Sequence, residues 1–360
     1  MVQAPAAARL IEGGLPTERL VANVLVNKYA DRAPLYRQAQ ALGRQGIEID
    51  RSTLAFRVGY AAADLRPLWA LMREELLRSA KPFVDETKAP VLDPGRGKTK
   101  TGYFWALARD DRPWRGTDPP AVVYTYAPGR GAVHVAGLLL DYAGIIQTDG
   151  YAADKNVANR DGAAITIAYC WTHLRRRFFE ITKKAPAPLA DEALRRIAAL
   201  YAIEAGIRGR SADERRAVRQ ERTRPLVEDL KAWFEAQLAR LSGKSVLAEA
   251  IRYGLNQWDG LVRFLDDGRI EMDTNTVERA MRPIVLNRKN ALFAGHDLGA
   301  ENWAVIASLI ETCKLHSMNP EAYLADVLTR LVNGWPNRRL AELTPWAWQA
   351  AHTDVVRAAA

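Results

Sequence analysis

A chain of 360 residues, 48% hydrophobic and 26% charged, has the length for two or three domains and the composition of an ordinary globular protein. Its net charge of +9 and pI near 9.6 favour a polyanionic partner, a balance also found in ribosomal and membrane-surface proteins. Two cysteines, Cys170 and Cys313, exclude a disulfide framework and point to a reducing compartment. The opening Met1-Val2-Gln3-Ala4-Pro5 lacks a signal peptide's basic start and apolar run, and charge breaks every apolar stretch well before membrane-spanning length.

Residues 1–16, rich in Ala, Gly and Pro, are expected to form a flexible tail. From Thr17, Leu20, Val21, Val24 and Leu25 recur at helical spacing. A helical stretch over 34–46 and a second over 52–58, capped by Asp50 or Ser52, flank a turn containing Gly46. The pair resembles a helix-turn-helix, a pattern shared by any helical hairpin, and makes 17–80 a candidate DNA-binding region. An amphipathic helix over 63–79 leads out of it.

From Pro82 the texture changes. Strands are predicted over 83–92, 103–108 and 121–126, with a basic, glycine-containing turn over 95–100 that carries Lys98 and Lys100. A helix over 133–140 precedes strands over 145–148 and 165–169. Three antiparallel strands followed by helix and strand predict a mixed α/β fold, a mixed sheet with helices on its faces. Residues 174–267 read as helix almost throughout. Between Leu174 and Arg240 lie 16 basic and 10 acidic residues, most of the chain's positive excess. Such a run is commonly a solvated helical surface, and equally suits a clamp on a phosphate backbone. Residues 300–332 are helical again, and 333–360 form a tail containing Trp and Pro.

Three carboxylates attract attention. Asp85 follows Pro82-Phe83-Val84, Asp149 ends Ile145-Ile146-Gln147-Thr148, and Glu278 opens a predicted helix. Two strand-end aspartates and a helical glutamate suit a pair of hard cations, which take oxygen ligands and move phosphoryl groups. Each also has a plainer role. Asp149-Gly150 is a common turn pair, Asn275-x-x-Glu278 a candidate capping box, and Asp85 a strand-end residue facing solvent. Cys170-x-x-His173 and Cys313-x-x-His316 together spell a Cys₂His₂ zinc site, against which stand their wide separation and the helical setting of the second pair. Arg175, Arg176 and Arg177, and Arg279, Arg282, Arg288 and Lys289 around Glu278, are surface charge or phosphate contacts. Trp171, Trp258 and Trp303 read as core. No Walker-type loop and no serine elbow is present.

Taken together, Val84-Asp85-Glu86-Thr87, Lys98-Thr99-Lys100-Thr101-Gly102-Tyr103-Phe104-Trp105, Gln147-Thr148-Asp149-Gly150-Tyr151, Cys170-Trp171-Thr172-His173-Leu174-Arg175-Arg176, Asn275-Thr276-Val277-Glu278-Arg279-Ala280-Met281-Arg282-Pro283 and Arg288-Lys289-Asn290-Ala291-Leu292-Phe293-Ala294-Gly295 resemble the IS66 family of insertion-sequence transposases. The resemblance runs from about Leu15 to Trp348. It implies an RNase H-like catalytic core in two parts, 81–173 and 268–317, split by a basic helical insertion over 174–267 and followed by a helical tail over 318–360. It implies a metal-binding catalytic triad of Asp85, Asp149 and Glu278, with Asp85 bridging two Mg²⁺ ions for which Mn²⁺ substitutes. The DNA contacts it implies are Arg175, Arg176, Arg279, Arg282, Arg288, Lys289, Lys98 and Lys100. The implied reaction is cleavage at the element's end by water, then attack of the freed 3′-hydroxyl on target DNA, without a covalent enzyme intermediate.

The implied partners are double-stranded DNA at element ends and target, further copies of the chain on that DNA, and accessory proteins of the element. No membrane is involved, and the expected location is cytoplasmic, on the nucleoid. The sequence departs from the family's pattern at Phe56, Thr172, Asp273-Thr274-Asn275 and Cys313, none of them a proposed metal ligand. The family's cysteine-rich N-terminal extension is not in this chain, which leaves a binding-only remnant or repressor as the alternative. A structure-selective nuclease without strand transfer is a third reading.

Overall fold

Five strands form where the alternating and β-branched runs predict them: β1 (Phe83–Asp93), β2 (Lys98–Arg109), β3 (Ala121–Ala127), β4 (Gly144–Thr148) and β5 (Ile165–Tyr169). The computed structural model describes residues 7–139, 142–150 and 165–358; the first six residues of the expected tail, Leu140 and Tyr151 lie outside these. The sheet order is β3-β2-β1-β4-β5. β1 to β3 are antiparallel neighbours, and β4 and β5 run parallel to β1. The α/β expectation of a mixed sheet with many helices holds. The β1–β2 hairpin is longer than predicted, because the glycine turn closes over residues 94–97 and Lys98 already pairs with Asp93.

Before the sheet come α1 (Glu18–Tyr29), α2 (Leu35–Gly43) and α3 (Arg51–Leu77). Asp50 caps α3 by accepting from the Ser52 N–H. The turn between α2 and α3 carries Gly46 at φ +81°, a conformation that favours glycine. The two helices expected over 52–58 and 63–79 are one helix of 27 residues. Ala61, Ala62 and Leu65 are wholly buried, and this packing carries the helix through Gly59, whose intrinsic preference is against it. Upstream, Leu10 is buried and its N–H donates to Glu18.

After β3 comes α4 (Ala132–Leu139). After β5 the chain makes α5 (Trp171–Thr182), α6 (Pro188–Ile207), α7 (Ala212–Val218), α8 (Arg224–Leu238), α9 (Val246–Asn256) and α10 (Trp258–Val262). A π-helical stretch over 219–223 joins α7 to α8; Pro225, which has no N–H to donate, follows it. The chain then returns through α11 (Asn275–Asn287), α12 (Asp297–Leu315), α13 (Pro320–Val332) and α14 (Pro345–Ala358).

α12 is the central helix, buried at every position from Asn302 to Cys313. It also protects the free edge of the sheet. Edge strand β3 would present unpaired backbone groups, but the Ser308 and Thr312 hydroxyls accept from the Tyr124 and Val122 N–H at 2.8 and 3.1 Å. The Thr312 hydroxyl in turn donates to the Val122 carbonyl at 3.0 Å. Thr312→Val keeps the shape of the side chain and orphans two buried backbone groups. It is expected to destabilise the protein by roughly 2 kcal/mol, read from the shift of the urea midpoint, whereas Thr329→Val on the exposed face of α13 is expected to be near neutral.

Candidate active site

The parallel pairing of β1 with β4 sets Phe83 opposite Gln147. Two residues further along each chain stand Asp85 and Asp149. Side chains alternate with a period of two, so Asp85 shares the face on which Phe83 and Gln147 are buried, and the charge of Asp149 reaches it. Asp85 lies within the middle strand of the sheet, and Asp149 just beyond the end of β4. Gly150, at φ +91°, turns the chain immediately afterwards, and a Cβ there would meet the Gln257 amide at 2.9 Å. The Asp149-Gly150 turn and the carboxylate beside Asp85 are therefore compatible readings of one dipeptide.

Glu278 arrives from more than a hundred residues away, and four contacts guide it. The Gln147 side chain donates to the Glu271 carbonyl and accepts from the Glu271 N–H, both at 2.8 Å. The Trp171 N–H donates to the Met272 carbonyl at 3.0 Å. The Thr274 N–H donates to Cys170 Sγ at 3.3 Å. The Thr274 hydroxyl then donates to Glu278 Oε1 at 3.2 Å. Thr274, not Asn275, is the N-cap of α11, so the expected capping box does not form: the carboxylate of Glu278 is held by a hydroxyl instead of turning back to the backbone. The fully buried Gln147 and Thr274, with 0% and 1% exposure, were not singled out from sequence. Neither polar residue belongs to a periodic pattern, and only the fold gives each its partner.

The electrostatics follow from this crowding. Burial, then the negative charges of Asp149, Glu86 and Glu278, push the Asp85 carboxyl up to about 8. Glu86 is also raised by burial, against which the Arg130 guanidinium works from 2.6 Å. Asp273 is raised by burial, partly offset by the Asn275 N–H. The adjacent pair Glu86 and Arg130 was likewise missed, since Arg130 lies in an unremarkable turn.

The basic residues divide. Arg175, Arg176 and Arg177 are exposed on α5, and Arg279 and Arg282 are exposed on α11 around Glu278. Arg176 and Arg177 border a groove of about 650 Å³ with His173 and Tyr253. The Tyr253 hydroxyl donates to the Asp149 carbonyl at 3.4 Å. Lys98 and Lys289 are exposed, Lys100 pairs with Asp297 at 2.6 Å, and Arg288 donates to the Lys88 carbonyl. The proposed Cys₂His₂ set does not assemble. Cys313 is buried in α12, and both His316 ring nitrogens are engaged, by Gln349 and by the Pro120 carbonyl. Trp171, Trp258 and Trp303 are core, as expected.

The family model described as "Transposase IS66 family" matches residues 13–302, and that described as "IS66 C-terminal element" matches residues 308–346. Three proteins of Sinorhizobium fredii (strain NBRC 101917 / NGR234) are similar over almost the whole chain. "Uncharacterized protein y4qI" is 44% identical over 351 residues, "Uncharacterized protein y4jD" 43% over 355, and "Uncharacterized protein y4hP" 38% over 372. These alignments cover 96%, 97% and 99% of this chain, but 65%, 70% and 67% of the relatives, so the chain spans about two thirds of their length.

Proposed function

Because the chain belongs to the IS66 transposase family, we propose that it cleaves and transfers the DNA strands of an insertion sequence, using Asp85, Asp149 and Glu278. The observation that carries this is that Asp149 and Glu278, distant in sequence, lie close enough to Asp85 for their charges to raise its carboxyl, after burial. The order β3-β2-β1-β4-β5, with the last two strands parallel to β1, supports an RNase H-like core. Residues 174–267 would then be a helical insertion between the second and third acidic residues, and 17–80 a DNA-binding region.

A pair of hard dications such as Mg²⁺ fits the donor set. All three side chains offer carboxylate oxygens, and Asp85 ionises fully at neutral pH only where positive charge offsets its neighbours. When bound, such ions stabilise the attacking and departing oxygens of an in-line displacement. Asp85, on the middle strand, would hold such ions together with Asp149 and Glu278. The sheet register positions Asp85, the end of β4 brings Asp149 beside it, and the Thr274 hydroxyl orients Glu278. Arg175, Arg176, Arg279 and Arg282, exposed beside these elements, suit the flanking phosphates. In this reading a water oxygen bonds to phosphorus as the 3′-oxygen departs and takes up a proton. The freed 3′-hydroxyl oxygen then bonds to a target phosphorus as the target's own 3′-oxygen departs and takes up the proton.

The test is Mg²⁺-dependent cutting of a labelled duplex carrying the native element's end. Asp149→Ala is expected to lose cleavage by at least about 1,000-fold while keeping duplex binding. Undiminished cutting by this variant would remove Asp149 from the site, and binding without cutting by the wild type would favour a repressor-like role.

A further inference from the structure

Next to the three carboxylates lies a second donor set of different chemistry. Cys170 ends the segment after β5, His173 is in the first turn of α5, and Glu278 is in the first turn of α11. One Sγ, one imidazole nitrogen and one carboxylate oxygen of these residues all lie within 4.8 Å of one another. His173 Nδ1 is buried, has no hydrogen-bond partner among the described residues, and stands 3.8 Å from Glu278 Oε1. Buried polar nitrogens are ordinarily paired, so this orphan needs a partner. Cys170 is 2% exposed, and burial pushes its thiol up, partly offset by the Thr274 N–H that its sulfur receives at 3.3 Å.

We propose that Cys170, His173 and Glu278 form a binding site for a thiophilic divalent cation of the Zn²⁺ class. A thiolate and an imidazole select such an ion over Mg²⁺. Zinc bonds of about 2.0–2.3 Å place tetrahedral ligands about 3.5 Å apart, so the donors need to close by about 1 Å. On binding, the Cys170 thiol releases its proton to solvent as the sulfur–metal bond forms. Three protein ligands leave a fourth position open. Glu278 belongs to both donor sets. The cation site stands on its own donors, while one consequence, that Zn²⁺ withdraws Glu278 from the aspartates and slows Mg²⁺-dependent cutting, rests on the function proposed above.

Binding is therefore the test, made on the full chain without DNA. Co²⁺ added to one equivalent is expected to give a thiolate-to-metal absorption band in the near ultraviolet and tetrahedral bands in the visible, which Zn²⁺ abolishes by displacement. Cys170→Ser is expected to lose the near-ultraviolet band and to bind Zn²⁺ at least about 100-fold more weakly. His173→Gln, altered at a half-buried position that leaves the sulfur in place, is expected to weaken Zn²⁺ binding similarly. Asp149→Asn, outside the set, is expected to keep the bands whether or not it cuts DNA. Absence of the bands from the wild type, or their survival in Cys170→Ser, would overturn the proposal.

Discussion

Asp85→Asn is expected to abolish strand cleavage and, at the same time, to make the metal-free protein more stable at pH 7.5. The first effect rests on the function proposed above, in which Asp85 would help hold the cations; a loss of at least about 1,000-fold is expected. The second follows from linkage. An unfolded aspartate ionises near 4, whereas Asp85 in the folded chain is pushed up to about 8 by burial and by Asp149, Glu86 and Glu278. Below pH 4 both states hold the proton, and the stability associated with this group is fully present. Between pH 4 and 8 the unfolded chain has released a proton that the folded chain keeps, so stability falls as pH rises, and above 8 the loss is complete. Glu86 and Asp273, raised for the same reason, add to the slope. The neutral amide of the variant does not titrate and adds nothing to that slope. After allowance for screening around a half-buried group, the gain at pH 7.5 is roughly 2 kcal/mol. Thermal melts from pH 4.5 to 8.5 read it as a flatter profile in the variant. A variant less stable than the wild type at every pH would show that Asp85 is held by structural partners and is not a strained acid.

The second large effect is expected far from the carboxylates. Arg219 has no exposed surface. Its guanidinium pairs with both oxygens of Glu204 at 2.8 and 2.7 Å and donates to the Phe264 and Asp267 carbonyls at 2.8 and 3.1 Å. Arg215, 1% exposed, pairs with Glu271 at 2.8 Å and reaches Glu204 at 3.5 Å. Arg219→Ala leaves a largely buried carboxylate short of its principal partner and takes the guanidinium from the Phe264 carbonyl, while the Asp267 carbonyl keeps the Ile270 N–H at 3.2 Å. The expected cost is about 3–5 kcal/mol, against less than about 0.5 kcal/mol for exposed Arg216→Ala. Urea unfolding monitored by tryptophan fluorescence measures both. A loss below about 1 kcal/mol in Arg219→Ala would mean that water reaches the network.

These arginines also mark where sequence reasoning stops. Strands β3, β4 and β5 were legible as short, largely apolar runs, whereas the polar first half of β2 hid the length of its hairpin with β1; Asp85 and Asp149 stood out by following such apolar runs. The third carboxylate was legible as a helix-opening glutamate, but the hydroxyl that holds it was not, because Thr274 acquires its role only after the chain has returned to β5. The basic block over 174–240 read as surface or as a phosphate clamp. Part of it is neither, since Arg215 and Arg219 are internal charges whose carboxylate partners are 11 to 56 residues distant. Periodicity reports which face of a helix is apolar; it carries no signal for a buried ion pair. The Cys-x-x-His pair was visible as a motif, yet its match with Glu278, in place of the second pair, is a fact of tertiary placement. Helix α3 was divided too early for a similar reason: long-range packing decided its length.

The clasp of Gln147 on Glu271 gives the acidic centre an order of assembly. A ribosome extrudes the sheet and its two aspartates first, then about a hundred residues of helix, and only then the strip over 271–278. A nascent chain halted inside the helical block holds two acids of the trio and has nothing for the Gln147 amide to grip. Completion of the centre thus reports that synthesis has passed residue 278 and that the intervening helices have brought their two ends together. A ribosome profile that slowed within the block would lengthen the interval in which the polypeptide exists without its third acid.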